Sequence, residues 1–246
     1  MNTAVFVYGV VDPATEVPPD LRGVDDAPVR VVGVFGDPIG ALVSDLEPDR
    51  PPGRKADLLA YSRVLDSLAL EGLVAPVRFG SQMDDEMSVV EDLLAPNVDW
   101  FCQVLDGIRG RVQYNLRATY LEEVVLAEVV QADREIARLH QMTREAPPDT
   151  AFAERMRLGE LVAGALESKR DWDAETIMGI VAPHVVAAEV RPGSGVDHVV
   201  KVALLVERSH EQAFEQVLEG LAETVHERIR VSLVGPLAPY DFVGEA

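Results

Sequence analysis

Five histidines and one cysteine, Cys102, are the side chains in this sequence best suited to hold a metal or act as a nucleophile. Neither set is arranged for that work. His140, His184, His198, His210 and His226 form no HExxH pair, and none has a second histidine at close ligand spacing. His140, His210 and His226 fall in helical sequence beside charged residues, where they read as surface or boundary groups. Cys102 sits in FCQVL, inside an apolar helical pattern. A catalytic thiol needs a depressed pKa and a base. Nothing local identifies either, so Cys102 reads as a small core group. Asp84, Asp85 and Glu86 are neighbouring carboxylates, but they stand where helix capping would use them. Ser81 has no GxSxG context. The glycines at 9, 33, 36 and 40 make neither GxGxxG nor a phosphate-binding loop. The expectation is no catalytic residue, no cofactor and no metal.

The sharpest local signal is at the C-terminal end, GPLAPYDFV over residues 235–243. Gly235 and Pro236 should break a strand, and Pro239 should keep the following segment extended. Tyr240 and Phe242 are then aromatic anchors. The tail has two readings, a staple against its own domain or a docking surface. Stapling is favoured.

Composition removes other classes. Asp and Glu number 42 against 22 Lys and Arg, a formal charge of −20. Such a surface repels phosphate backbones and anionic headgroups, so neither nucleic acid nor membrane is expected as a partner. The uncharged stretch 176–188 is too short to span a bilayer and contains Pro183 and His184. The opening MNTAVFVYGVVDP has no basic region before its apolar run, which argues against a signal peptide and for a cytoplasmic protein. With 246 residues, 48% of them hydrophobic, the chain can bury a sizeable core.

The elements that must carry these residues follow from period. TAVFVYGVV at 3–11 reads as a strand. VRVVGVF at 29–35 and IGALVSD at 39–45, with GDP between them, read as a hairpin. Leu58, Tyr61, Leu65 and Leu68 recur at helical spacing between Lys55 and Glu71, leaving Arg54, Asp57, Arg63 and Asp66 for solvent. VAPVRFG at 74–80 reads as a strand, Pro96 as a helix restart, and GRVQYNLRA at 110–118 as another strand with Val112, Tyr114 and Leu116 on one face. Leu121–Glu145 is helical and ends at APPD, 146–149. A helix over about 151–166 and a shorter one from about Asp173 follow. VVAAEV and DHVVKVALLVE, a helix over 209–227 and RIRVSLVG complete the chain. The fold expected is α+β, with two mixed portions (ferredoxin-like variants) joined by a helical middle. The boundaries are 1–118 for the N-terminal domain, 119–170 for the helical bridge and 171–246 for a β-β-α-β portion with its tail.

Four segments in order carry a resemblance: VYGVV at 7–11, APVRFG at 75–80, VKVALLVERSHEQAF at 200–214 and GPLAPYDFV at 235–243. Together they resemble the gas vesicle protein F/L family across essentially the whole chain. The last matches the family's terminal GP-x-x-PY-x-F. Departures are SQMDDE after Gly80 and Arg111 at about the place where a glutamate often stands; F-like and L-like subtypes both stay open. The resemblance implies an accessory protein of gas vesicle assembly, located with gas vesicles in the cytoplasm, and not an enzyme. It also implies a partner, the small hydrophobic shell subunit, with other accessory proteins beside it. A minor component of the mature vesicle and, less favoured, an enzyme on an α+β scaffold are the alternatives. Shell subunits expose apolar surface before they polymerise, and a strongly acidic companion would keep them soluble. The candidate binding surface lies in the N-terminal portion: Phe6, Tyr8, Val77 and Phe79, with Arg78 as a polar rim. The competing reading of these strand residues is core filling.

Overall fold

The computed structural model describes residues 4–34, 36–47, 51–71, 73–147 and 150–244. Contacts divide the chain into two compact units. Unit 1 takes in the described residues of Met1–Tyr114, Leu205–Ser209 and Val234–Ala246, and unit 2 those of Asn115–Leu204 and His210–Leu233. Of the boundaries expected from sequence, residue 118 falls inside a strand and residue 170 inside a helix. The fold is mixed α and β, with two sheets and helical segments.

In unit 1 the unbroken apolar run VFVYGVV forms β1 (Val5–Val11), buried along its whole length. A strand without a polar face needs cover on both sides. One side is α1 (Lys55–Glu71), which supplies Tyr61, Val64, Leu65 and Leu68 to a core holding Phe6 and Tyr8. The other is α3 (Val98–Ile108), which supplies Phe101, Leu105 and Ile108 to a core holding Val5 and Val7. An irregularity between Val7 and Gly9 flips the alternation, so Val10 joins the second core and Val11 the first. Gly9 is required there. A Cβ at that position would lie 2.7 Å from the Ala75 carbonyl oxygen of the next strand.

The expected hairpin forms as β2 (Arg30–Val32) and β3 (Gly40–Asp45), antiparallel; Phe35, assigned to its first run, lies outside the described residues. Strand β3 pairs with β1, and β1 pairs on its other side with β4 (Val74–Pro76) and the two-residue β5 (Gln82–Met83). VAPVRFG is therefore a strand only as far as Pro76. Val77 and Ser81 still bond to β1 through Tyr8 and Val7, but between them the chain folds into a turn in which the Ser81 amide donates to the Arg78 carbonyl, 3.2 Å. Asp85 does cap the next turn, α2 (Glu86–Ser88), accepting from the Ser88 amide at 2.8 Å. Two side chains of α1 depart from expectation. Leu58 is 46% exposed. Asp57, expected in solvent, is buried, because its carboxylate reaches back to accept from the Gly53 and Arg54 amides at the head of the helix.

The second sheet comprises β6 (Arg111–Tyr120), β7 (Ala187–Val190), β8 (His198–Glu207) and β9 (Ile229–Leu237), in the order β7-β8-β6-β9. The first has the order β2-β3-β1-β4. Taken by position in the chain, both run second, third, first, fourth. Between β6 and β7 lie α4 (Glu122–Ala132), α5 (Arg134–Glu145) and α6 (Phe152–Val181); α7 (Glu211–Val225) precedes β9. The helical stretch 121–145 is broken at Asp133, whose side chain caps α5. Pro148 and Asp149 of the APPD stop lie outside the described residues. The two helices expected over 151–166 and from Asp173 are a single helix of 30 residues. Nothing in LESKRDWD between them is a breaker, and the glycines inside α6 cost helix stability without ending it.

A buried charge network organises unit 2. Asp173, 2% exposed, accepts the Tyr120 hydroxyl at 2.6 Å and both arms of the Arg228 guanidinium at 2.8 and 2.6 Å. Burial pushes the Asp173 carboxyl up, but the Arg228 fork and the Tyr120 hydroxyl outweigh it and hold it below its ordinary value.

Candidate partner-docking groove

The residues singled out in the N-terminal portion part into two groups. Phe6 and Tyr8 are fully buried. This corrects their assignment to a binding surface: both faces of β1 are covered, and the face that carries them looks into α1. They belong to a cluster of five rings. Tyr61 sits 6.1 Å from Phe6, 6.2 Å from Tyr8, 5.3 Å from Phe79 and 6.1 Å from Tyr240, centroid to centroid. Phe79 is half-buried against this cluster and serves it more than any partner. The Tyr8 hydroxyl contacts the Ser44 hydroxyl at 2.7 Å and accepts from the Val24 amide, also at 2.7 Å, so its polar end is satisfied inside the core.

Val77 and Arg78 have a different fate. The Val77 amide donates to the Tyr8 carbonyl, and the Tyr61 hydroxyl donates to the Val77 carbonyl. That pins the first residue beyond β4, and the next side chain, Arg78, turns outward. Val77 is half-buried and Arg78 exposed. Both line a groove of about 350 Å³ together with Leu93, Trp100, Phe101, Val243 and Gly244. Trp100 meets Phe101 edge-on at 4.7 Å and is only half-buried. Trp100 escaped the sequence reading of sites. Its signal was an amphipathic helix whose bulkiest residue sits at the border of the apolar stripe, which does not distinguish a groove wall from a core residue.

The tail is brought here by hydrogen bonds. The Ala238 amide donates to Asp66 Oδ1 at 3.0 Å, and the Tyr240 hydroxyl donates to the same oxygen at 3.2 Å. The Asp241 amide donates to Gln113 Oε1 at 3.0 Å, and Gln113 Nε2 donates back to the Asp241 carboxylate. Burial pushes the Asp66 carboxyl up, and the two donors from the tail partly offset that rise. Burial likewise raises Tyr61 and Tyr240. Gly235, joined to Pro236 by a cis peptide, passes so close to β6 that a Cβ would lie 2.6 Å from the Tyr114 ring. Pro239 and Val243 are buried, and Phe242 packs partly buried on the Phe101 side of the sheet.

Chemically the groove is a receptacle. Its one hydroxyl, Ser81 Oγ, donates to the Arg78 carbonyl at 2.8 Å. Among the described residues no three His, Cys, Asp or Glu side chains converge as a metal site, and no helix is long and apolar enough to cross a membrane. Cys102 is half-buried beside Leu105; His140, His184, His210 and His226 are exposed.

Comparison with known proteins returns one consistent result. Residues 4–244 match the family described as gas vesicle synthesis protein GvpL/GvpF. The chain is 31% identical to a gas vesicle protein F of Streptomyces sp. (strain CB03234), over 98% of this chain and 99% of that protein. It is 27% identical to gas vesicle protein L of the same strain, over 98% and 93% of the two chains. In fold it is similar to the crystal structure of GvpF from Anabaena sp. PCC7120, with a TM-score of 0.85, 19% identity and complete coverage of both chains.

Proposed function

The chain belongs to the gas vesicle synthesis protein GvpL/GvpF family, and from that premise we propose that it binds the hydrophobic shell subunit of the gas vesicle and assists its assembly. Membership carries an accessory role connected with gas vesicles; beyond it, we propose the shell subunit as direct partner, the groove as docking site, a cytoplasmic location and a role without catalysis. The observation that supports it is the groove beside Val77 and Arg78, with walls from β4, α3 and the tail. A receptacle of about 350 Å³ lined by Val77, Leu93 and Trp100 suits one or two aliphatic side chains of a partner. Arg78 at its rim offers donors to the partner's carbonyls or carboxylates. A small groove of this kind fits a transient contact, released as the subunit enters the wall. The formal charge of −20 would keep a loaded complex soluble. We also read both units as ferredoxin-like variants, supported by the strand order that the two sheets share.

The test is calorimetry of the full chain with soluble shell subunit. Arg78→Glu and Trp100→Ala, each confirmed folded by circular dichroism, should weaken binding at least tenfold, while Arg144→Glu, on exposed helix surface, should not. A folded wild-type chain that shows no binding, even with accessory partners present, sinks the reading. Retention on purified vesicles through stringent washing would instead favour a resident component of the wall.

A further inference from the structure

A second surface lies in unit 2 and owes nothing to the groove described above. Strand β9 is the last strand of its sheet, and among the described residues no strand lies beyond it. Along 229–233 its side chains alternate. Ile229 is buried, Val231 and Leu233 are half-buried, and Arg230 and Ser232 are exposed on the other face. Val231 and Leu233 form one side of a groove of about 280 Å³ whose other side is Leu218, Ala222, Glu215 and Glu219 of α7. The groove thus runs beside an open sheet edge, has an apolar floor and carries carboxylates on its helix rim.

We infer that this edge takes an extended, basic segment of a partner protein as an added strand. An extended chain laid along β9 gains main-chain hydrogen bonds from the open edge, and every second side chain drops toward the groove. The charge of the rim selects the occupant. Helix α7 bears glutamates at 211, 215, 219 and 223 and no Lys, Arg or His. At this spacing they line one helical face. A second copy of this chain is disfavoured, because two-fold pairing of β9 edges would set two such rows on the same side of the joined sheet, like charge against like. A partner strand with aliphatic residues toward Val231 and Leu233 and lysine or arginine flanking them meets both the apolar floor and the acidic rim.

The experiment uses the full chain and a peptide, Lys-Thr-Val-Thr-Val-Thr-Lys, whose lysines and valines share one face when extended. Its counterpart has glutamate in place of both lysines. The lysine peptide should slow amide exchange within 229–233, bind at least tenfold more tightly than the glutamate peptide, and lose affinity as salt is raised to about 0.5 M. Glu219→Lys, an exposed helix position that leaves the fold intact, should shrink or reverse that preference. Backbone N-methylation of the lysine peptide on its pairing edge should abolish binding. Equal affinity for both peptides, no protection at 229–233, protection mapping elsewhere, or a concentration-dependent dimer protected at β9 would each overturn the inference. Arg78→Glu, which addresses the other groove, should leave the peptide affinity unchanged.

Discussion

Two aspartates tie distant segments together, and they do so in opposite electrostatic settings. Asp66 receives the tail. Removing its carboxylate by Asp66→Ala leaves the buried Ala238 amide without an acceptor, a loss of about 1–3 kcal/mol. Urea unfolding should register that loss, and Asp66→Asn, which keeps one acceptor oxygen, should recover part of it. Asp173 is held below its ordinary pKa by Arg228 and Tyr120 against the effect of burial. A carboxyl depressed on folding stabilises the native state fully above the unfolded pKa, about 3.9. That contribution is lost as pH falls through the lower folded value. Asp173→Asn should therefore cost about 1–3 kcal/mol at neutral pH, because the half-buried Arg228 loses its two-armed partner and keeps Glu128 at 3.3 Å. It should also flatten the acid limb of a stability-versus-pH curve below pH ~4. A mutant that keeps the wild-type acid slope would show that other carboxyls set it. Neither aspartate was legible in the sequence. Asp66 stands on a helix face that reads as solvent-facing until a segment 172 residues away docks on it.

Elements with a clean period were legible, and those decided by long-range partners were not. The helix Lys55–Glu71 was readable to its ends because its apolar stripe repeats and Gly53 and the Pro-rich stretch precede it. The turn after Pro76 was not, because VAPVRFG has a strand's composition throughout, while β1 pairs only with Val74–Pro76 and then, beyond the turn, with β5. The groove was half legible for the same reason. Val77 and Arg78 were picked out by local pattern, while Trp100 and the tail's Val243 reach them only through tertiary structure. The long helix α6 offers a direct test at this scale. A Cβ at Gly164 would meet nothing within 4 Å. Gly164→Ala should therefore stabilise unit 2 by about 0.5–1 kcal/mol, since alanine loses less backbone freedom in a helix. A thermal scan should show a rise of roughly 2–4 °C per kcal/mol. A fall would mean that the helix is bent or packed differently around residue 164.

For the whole molecule, the decisive fact is that unit 1 is discontinuous. Its described residues come from the first 114 positions, from Leu205–Ser209 and from the last stretch, beginning at Val234. Ala238 and Tyr240 complete the aromatic core, and Val243 completes the core beneath α3. Deleting residues 235–246 should therefore loosen unit 1. Amides of β1 and α1 should exchange faster by hydrogen–deuterium mass spectrometry, while those of α6 keep their protection. Faster exchange spread evenly over both units would contradict this division. The same deletion should abolish shell-subunit binding if the groove is the docking site, because Val243 and Gly244 line it.

The distance in sequence between Asp66 and its two donors has a meaning in time. A ribosome makes the acceptor first and the donors only 172 and 174 residues later. Until then the first unit lacks part of its core and two of the residues that line its groove. A chain cut short before Ala238 would leave Asp66 without either donor and the first unit without its late segment. The order of synthesis thus makes closure of the first unit's core a late event in the life of the nascent chain.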